Sequence, residues 1–206
     1  MIEIKTLVLG EVYTNTYIVK DKATGEMAVI DPACESAKLV DLVKELGGNL
    51  KYILLTHGHF DHVGGVKCLL QNFTPQVLVS VDETKLLNTP TLNLSVWHNL
   101  SIDPIKVDRE LNDKDTFMLG ETQFTFVTTP GHTSGSGCYI ADDVIFSGDT
   151  LFCESVGRTD FPTSSGRDMM LSLMKLNDLK GDYTVCPGHD VKTSLSHERK
   201  FNPYMR

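Results

Sequence analysis

The sequence predicts an α/β protein in which two sheets are sandwiched between helices. Short apolar runs typical of strands recur along the whole chain, and segments with helical periodicity follow them in each half. Polar loops that contain histidine and glycine come directly after several of these runs. Because strands and then helices appear twice in succession, each set can form one sheet covered by its own helices. Both halves then contribute polar loops to one edge.

The first half of the chain begins with strands and a hairpin. Its predicted strands are 2–9, 15–20, 27–31, 51–56 and 76–81. The turn 21–26 joins the second and third of them. Apolar residues at helical spacing predict a helix over 36–46, with Ser36 as its N-cap and Gly47 as its stop. A second helix is predicted over 63–71, directly after a histidine-rich run.

The second half is separated from the first by a segment with poor periodicity. Residues 88–104 include Pro90 and Pro104, which predicts a long surface loop that could act as a lid. The predicted strands beyond it are 116–119, 122–128, 137–141, 144–147 and 183–186. Helices are predicted over 167–177 and within 196–206.

Length and composition limit the classes of function. The chain has 206 residues without a compositional break, so we expect one domain spanning 1–206. A net charge of −8 argues against nucleic-acid and anionic-membrane partners, which select cationic surfaces. The N-terminus does not resemble a signal peptide, and five scattered cysteines suggest reduced thiols in a cytoplasm. We therefore expect a small-molecule substrate and a monomer or small homo-oligomer.

A run of metal-binding residue types follows the fourth predicted strand. It reads His57-Gly58-His59-Phe60-Asp61-His62. Imidazole and carboxylate groups are ligands that suit zinc and iron, whereas a solvated polar loop seldom collects histidines. His57 and His59, two apart on an extended segment, project to the same side. Asp61 and His62 are adjacent and can serve a second metal about 3.5–4 Å away, as in two-metal hydrolytic sites.

Three further candidate ligands follow later apolar strands, each beside a glycine. They are His132, Asp149 and His189. Taken singly, each reads as an ordinary loop residue, but together with the earlier run they predict a two-metal centre. Asp61 is also the candidate catalytic carboxylate. The other two histidines lack this setting, so we interpret His98 as a loop residue and His197 as part of a solvated helix.

Five motifs resemble the metallo-β-lactamase superfamily, and within it the glyoxalase II-type (hydroxyacylglutathione hydrolase-like) proteins. The motifs are THGHFDHVGG (56–65), TPGHTSGS (129–136), SGDTLF (147–152), GRTDFP (157–162) and PGHD (187–190). The resemblance implies an αββα sandwich with two mixed sheets and with metals at the edge where the sheets meet. It also implies that His57, His59 and His132 bind one metal, that Asp61, His62 and His189 bind a second, and that Asp149 bridges them.

The resemblance further implies a dinuclear hydrolase. Water activated by two divalent ions would cleave a thioester such as S-lactoylglutathione. Zinc is the favoured metal, and iron or manganese would also suit the ligands. The chain resembles a short subgroup that ends in a HERKFNPYM-like tail and lacks the helical C-terminal domain of glyoxalase II.

Several alternatives stay open at this stage. Persulfide dioxygenases resemble the chain through GRTDF and an Asn-Pro tail, and they use a single iron. A lactonase, a β-lactamase or another small-ester hydrolase is a further alternative, and a non-catalytic metal-binding protein is the last.

Among neighbouring residues, we expect Arg158 and Asp160 to form an ion pair and Cys153 to be packed. Asp31 should accept a hydrogen bond from a ligand histidine.

Overall fold

A computed structural model describes all 206 residues and contains two facing six-stranded sheets. The first sheet consists, in spatial order, of β1 (Ile2–Leu9), β2 (Thr14–Asp21), β3 (Glu26–Ile30), β4 (Asn49–Leu54), β5 (Gln76–Ser80) and β6 (Arg109–Leu111). Strands β1 to β3 are antiparallel, and β3 to β6 are parallel. The first sheet is therefore mixed, as predicted.

The second sheet is built from the second half of the chain. Its spatial order is β14 (Thr193–Ser194), β13 (Thr184–Pro187), β10 (Val144–Gly148), β9 (Gly137–Ala141), β8 (Thr122–Thr128) and β7 (Thr116–Leu119). A short ribbon of β11 (Leu151–Phe152) and β12 (Ser155–Val156) lies between β10 and the next helix. Only the β10–β13 pair is parallel.

The helices complete the sandwich. They are α1 (Ala37–Leu46), α2 (Phe60–Val63), α3 (Val66–Asn72), α4 (Thr84–Leu87), α5 (Gly166–Asn177) and α6 (Leu195–Phe201). None of them has both the length and the apolar character that a bilayer crossing requires. Ser36 caps α1 by accepting a hydrogen bond from the Leu39 amide, and Gly47 ends that helix, as predicted.

Three apolar layers explain the architecture. Side chains of α1 and α3, including Leu39 and Leu69, pack against the first sheet. Aromatic residues such as Tyr17 and Phe146 fill the space between the two sheets, where their rings are 5.4 Å apart. Leu173 of α5 belongs to the third layer, against the second sheet. The predicted αββα arrangement is confirmed.

The structure differs from the prediction around the histidine-rich run. One helix was predicted over 63–71, but two short helices form, and α2 begins at Phe60. The break falls at Gly64 and Gly65, where the chain crosses the loop after β3. A Cβ atom at Gly65 would lie 2.5 Å from the carbonyl oxygen of Cys34, so only glycine fits this crossing. Asp61 therefore lies in the first turn of a helix.

The segment between the two halves is also more ordered than a plain loop. The 3₁₀ turns Val81–Glu83 and Ser95–His98 flank α4, and β6 was not predicted at all. Strand β6 has three residues, of which only Leu111 is buried, so it carries too little apolar pattern to be recognised.

Candidate metal centre

Strand direction brings the predicted ligand loops to one edge of the sandwich. Strands β8, β10 and β13 run the same way, so their carboxyl ends share an edge of the second sheet. Gly137, opposite the end of β8, donates its amide to the carbonyl of Thr56, which ties that edge to the loop after β4. All seven predicted ligand residues lie at this junction.

The first cluster consists of His57, His59 and His132. One ligand atom from each lies within 4.8 Å of the others. Nδ1 of His59 is 2.9 Å from Nε2 of His132. The three residues are only 1%, 2% and 3% exposed, respectively. The first cluster is thus a buried set of imidazoles that converge on one point.

The second cluster consists of Asp61, His62 and His189. Oδ2 of Asp61 lies 3.4 Å from Nε2 of His62 and 3.2 Å from Nε2 of His189. Asp149 lies between the clusters: its Oδ1 is 3.4 Å from Nε2 of His62, and its Oδ2 is 3.4 Å from Nε2 of His132. One carboxylate therefore faces both clusters.

The spacing of these atoms fits metal ions better than direct hydrogen bonds. Two atoms that are each about 2.0–2.1 Å from a tetrahedral zinc lie about 3.3–3.4 Å apart. Most of the imidazole–carboxylate distances match this separation between two ligands of one zinc ion. They also exceed the usual 2.7–3.2 Å of N–H···O bonds. Nε2 of His57, Nε2 of His62 and Oδ1 of Asp149 are buried without any hydrogen-bond partner. Cations would satisfy these atoms, so the residues fit a pair of metal ions.

Three of the ring nitrogens that face away from the centre are anchored, those of His62, His132 and His189. Nδ1 of His62 lies 2.9 Å from Oδ2 of Asp31, which confirms the predicted role of that carboxylate. Nδ1 of His132 donates to the carbonyl of Arg158, and Nδ1 of His189 donates to the carbonyl of Val12. These acceptors fix the tautomer, because Nδ1 must carry the hydrogen and Nε2 is left with its lone pair.

Burial and charge distinguish the two clusters. Burial, reinforced by the neighbouring histidines, lowers the pKa of His57 and that of His59 well below the usual value. Burial alone would lower the pKa of His62 too, but the carboxylates of Asp61, Asp149 and Asp31 raise it to about 10. The lowered pKa values keep His57 and His59 neutral, as imidazole ligands must be. The second cluster lies in a negative field that attracts cations.

Gly188 precedes His189 for a steric reason. A Cβ atom at this position would lie 2.2 Å from Oδ1 of Asp149 and 2.7 Å from Cε1 of His62. The amide of Gly188 also donates to the carbonyl of Gly148, which joins the ends of β10 and β13. The glycine lets the last ligand loop approach the bridging carboxylate.

Glu83 is a site residue that the sequence did not reveal. It is fully buried, and its carboxylate accepts hydrogen bonds from the amides of Gly58 and Gly135 and from the hydroxyl of Thr133. Burial raises the pKa of Glu83 to about 7, against the effect of these three donors. Glu83 thereby joins the two loops that supply all the histidines of the first cluster. In the sequence it follows Asp82 as an ordinary acidic residue after a strand.

An open cavity of about 640 Å³ lies over the centre. Its walls include Phe60, Trp97, His98, Arg158 and Phe161. His98, interpreted from the sequence as a loop residue outside the site, stacks on Phe60 with ring centroids 4.2 Å apart. Arg158 forms the predicted ion pair with Asp160, at 2.8 and 2.9 Å, on the rim of the cavity.

His197 and Cys153 lie away from the cavity. His197 is on α6, as predicted, and its Nε2 is 2.9 Å from Oε1 of Glu154. Cys153 is partly buried next to this pair. His197 is therefore a histidine outside the metal centre and provides a control for substitutions within it.

Comparison with known proteins agrees with the geometry. A family model described as the metallo-beta-lactamase superfamily matches residues 9–189, a range that contains all seven candidate ligands. The hydroxyacylglutathione hydrolase GloC of Haemophilus influenzae is 35% identical over 183 residues, which cover 86% of this chain and 86% of that protein.

Two solved structures are similar over nearly the whole chain. TTHA1623 in a di-iron-bound form has a TM-score of 0.86 and 33% identity, and the match covers 97% of this chain and 99% of that one. ETHE1 from Myxococcus xanthus has a TM-score of 0.82 and 29% identity, over 98% and 83% of the two chains. Both support the αββα fold, and the first shows that a relative of this size contains two irons.

Proposed function

Because the chain belongs to the metallo-beta-lactamase superfamily, we propose that it hydrolyses thioesters at a pair of divalent metal ions. The observation that carries the proposal is the convergence of two ligand clusters on Asp149 at the floor of an open cavity. In this proposal the first cluster binds one ion, the second cluster binds the other, and Asp149 binds both. Zinc is the preferred metal, and iron and manganese are compatible with the same ligands.

Ions bound there supply Lewis acidity and lower the pKa of water to about 7. The chain's own residues orient the reaction. Thr14 donates its hydroxyl to Oδ2 of Asp61 at 2.8 Å, which fixes the face that this carboxylate turns to the centre. In the proposal, the carboxylate of Asp61 accepts a hydrogen bond from the attacking water and so orients the water's lone pair towards the substrate carbonyl. His62 and His189 maintain the position of the carboxylate.

A thioester suits this site for a chemical reason. A thiol has a pKa of about 8.5, so a thiolate leaves near neutral pH with little help from an acid. The Haemophilus relative is a hydroxyacylglutathione hydrolase by name, which is the same class of reaction. S-lactoylglutathione is therefore the first substrate to try.

An iron-dependent dioxygenase is the second candidate. His57, His132 and Asp149 together provide the two imidazoles and one carboxylate that non-haem iron oxygenases use. The likeness to ETHE1 favours this alternative, which would need only one ion. The complete second cluster favours the hydrolase.

Metal analysis tests the number of ions. Protein purified without added metal and then saturated with zinc or iron should contain two ions per chain. His59→Ala should lose metal, whereas His197→Ala, which removes a histidine outside the centre, should retain both. A saturated chain that contains a single ion would exclude the dinuclear proposal.

Activity under nitrogen separates the two reactions. We expect the protein to release thiol from S-lactoylglutathione in the absence of oxygen. The parallel measurement is oxygen uptake with glutathione persulfide. Iron-dependent oxygen uptake, together with no anaerobic thiol release, would replace the hydrolase by the dioxygenase.

A further inference from the structure

One wall of the cavity is aromatic and leads outwards from the metal centre. The ring of Phe161 lies 5.6 Å from that of His59 and 5.8 Å from that of His132, in edge-to-face contacts. The indole of Trp97 is next, 6.1 Å from Phe161. These rings form a continuous aromatic wall, defined by Phe161 and Trp97, from the first cluster to solvent.

Trp97 is presented to solvent by a fixed segment. It is 57% exposed and lines the open cavity, where a large ring can contact a bound ligand. The turn Ser95–His98 that carries it is flanked by Leu94 and Asn99, two non-glycine residues with left-handed backbone at φ 65° and 53°. Such strained positions persist where the surroundings impose them, often at binding sites.

The same segment is attached to the ligand loops. The carbonyl of Asn93 accepts the amide of Phe60, and the side chain of Asn93 donates to the carbonyl of Leu87 and accepts the amide of Ser95. Asn93 is 1% exposed. Trp97 is thus held at a set distance from the metal centre.

The cavity has few charges besides the ligands. Arg158 is the only lysine or arginine among its lining residues, and it is already paired with Asp160 and stacked over Phe161 at 4.4 Å. Asp190, the only other charged side chain outside the centre, is acidic. Glutathione has glycyl and γ-glutamyl carboxylates, and these walls offer them no unpaired cation.

We propose that the natural substrates are thioesters whose acyl group is apolar and of phenyl or medium-chain alkyl size, bound along the aromatic wall. This inference rests on the proposed thioester hydrolysis and names its substrate class. The volume of about 640 Å³ is within the range of about 300–1,000 Å³ typical of small-molecule sites, and a lactoyl group would leave most of it to water. Biological acyl carriers are polar thiols that can remain in solvent, so the apolar wall matches the acyl group.

A series of thioesters with one uncharged thiol tests the inference. Acetyl, octanoyl and phenylacetyl esters of N-acetylcysteamine are compared, each rate being normalised by its alkaline hydrolysis. Burying a phenyl-sized group should raise kcat/KM by about 10- to 100-fold over the acetyl ester. Equal normalised values for the three esters would overturn the inference while leaving thioester hydrolysis intact.

Binding provides a readout that does not depend on turnover. Trp97 is the only tryptophan of the chain, so its fluorescence reports directly on the aromatic wall. S-phenethyl-N-acetylcysteamine, a thioether that cannot be hydrolysed, should bind at least about 10-fold more tightly than the S-ethyl compound. Tight binding without hydrolysis of any thioester would overturn the proposed function. Equal binding of the two thioethers would overturn the role of the aromatic wall as the acyl-binding site.

Substitutions test whether the preference for apolar acyl groups arises from the aromatic wall. Trp97→Ala should reduce the ratio of phenylacetyl to acetyl kcat/KM by about tenfold, and Trp97→Phe should preserve most of it. Met174→Ala removes an equally exposed apolar side chain, 60% exposed, that does not line the cavity, and should leave the ratio unchanged. A ratio that survives Trp97→Ala would exclude this wall as the acyl site.

Discussion

The two ligand clusters differ in charge and in access to water. The first cluster contains only imidazoles, each at most 3% exposed. The second contains a carboxylate, and the side chain of His189 is 22% exposed towards the cavity. Only the second cluster has a ring anchored on a carboxylate, that of His62, whereas His132 and His189 are anchored on backbone carbonyls. The comparison indicates that loop packing maintains the first cluster and that charge maintains the second.

Asp149→Ala should have the largest effect, because it removes the one group that faces both clusters. We expect both ions to be lost and thioesterase activity to fall by more than about 100-fold. Metal content and anaerobic thiol release are the measurements. His189→Ala is the comparison and should empty mainly the second cluster. An Asp149→Ala protein that retains two ions and most of its activity would show that the clusters do not share a bridge.

Glu83→Ala should affect the first cluster selectively. It leaves the amides of Gly58 and Gly135 without an acceptor, whereas the Thr133 hydroxyl still has Ser136 as a partner. The free energy of unfolding measured in urea should therefore fall by about 3 kcal/mol. Glu83→Gln retains one acceptor oxygen and should be more stable than Glu83→Ala. Its metal binding at the first cluster should be about 10- to 100-fold weaker than that of the wild type. Cobalt absorption spectra can follow the two clusters separately.

A surface glutamate provides the control for Glu83. Glu110 is exposed and accepts a single hydrogen bond from Thr84, so Glu110→Gln should change neither stability nor metal binding. Equal weakening of both clusters by Glu83→Gln would contradict the view that this residue serves the first cluster through its loops.

The ligand residues could be predicted from the sequence, whereas the residues that hold them in place could not. Periodicity predicted the layers, and four of the five motifs contain all seven residues that the structure brings together. Glu83 escaped because its partners lie 25, 50 and 52 residues away, and an acidic residue after a strand has no distinctive pattern. Trp97 and His98 escaped because α4 and Asn93 decide where their irregular segment lies. Local sequence patterns therefore identify the metal ligands. The residues that position those ligands, such as Glu83, are determined by contacts that are distant in the sequence.

Asp31→Asn should weaken metal binding at the second cluster, because it changes the tautomer of His62. Oδ2 of Asp31 accepts from Nδ1 of His62 and from the hydroxyl of Thr56, while Oδ1 accepts the Thr56 amide. An amide group in place of Oδ2 would donate towards Nδ1, so the ring proton would move to Nε2 and block its lone pair. Metal binding at the second cluster should fall by about 10- to 100-fold.

The first cluster should be affected much less by Asp31→Asn, since Asp31 reaches it only through the Thr56 hydroxyl, which lies 3.2 Å from Nδ1 of His57. Metal titrations of the variant and of Asp182→Asn, a surface carboxylate that bonds Ser196, provide the comparison. Wild-type affinity at both clusters in Asp31→Asn would mean that the charge of Asp31 does not select the tautomer of His62.

Thr14→Val should give the smallest effect and the sharpest test of the second cluster. Thr14 is fully buried, and its only side-chain hydrogen bond goes to Oδ2 of Asp61 at 2.8 Å. Valine retains the shape but removes the donor, which is a loss of about 0.5–1.5 kcal/mol, or about 2- to 10-fold in metal affinity at the second cluster. Thr14→Ser retains the hydroxyl and should behave like the wild type. Because Thr14 does not contact the first cluster, zinc competition titrations should show one affinity shifted and the other unchanged. If both affinities shift together, the two clusters are coupled through Asp149 more strongly than their separate anchors suggest.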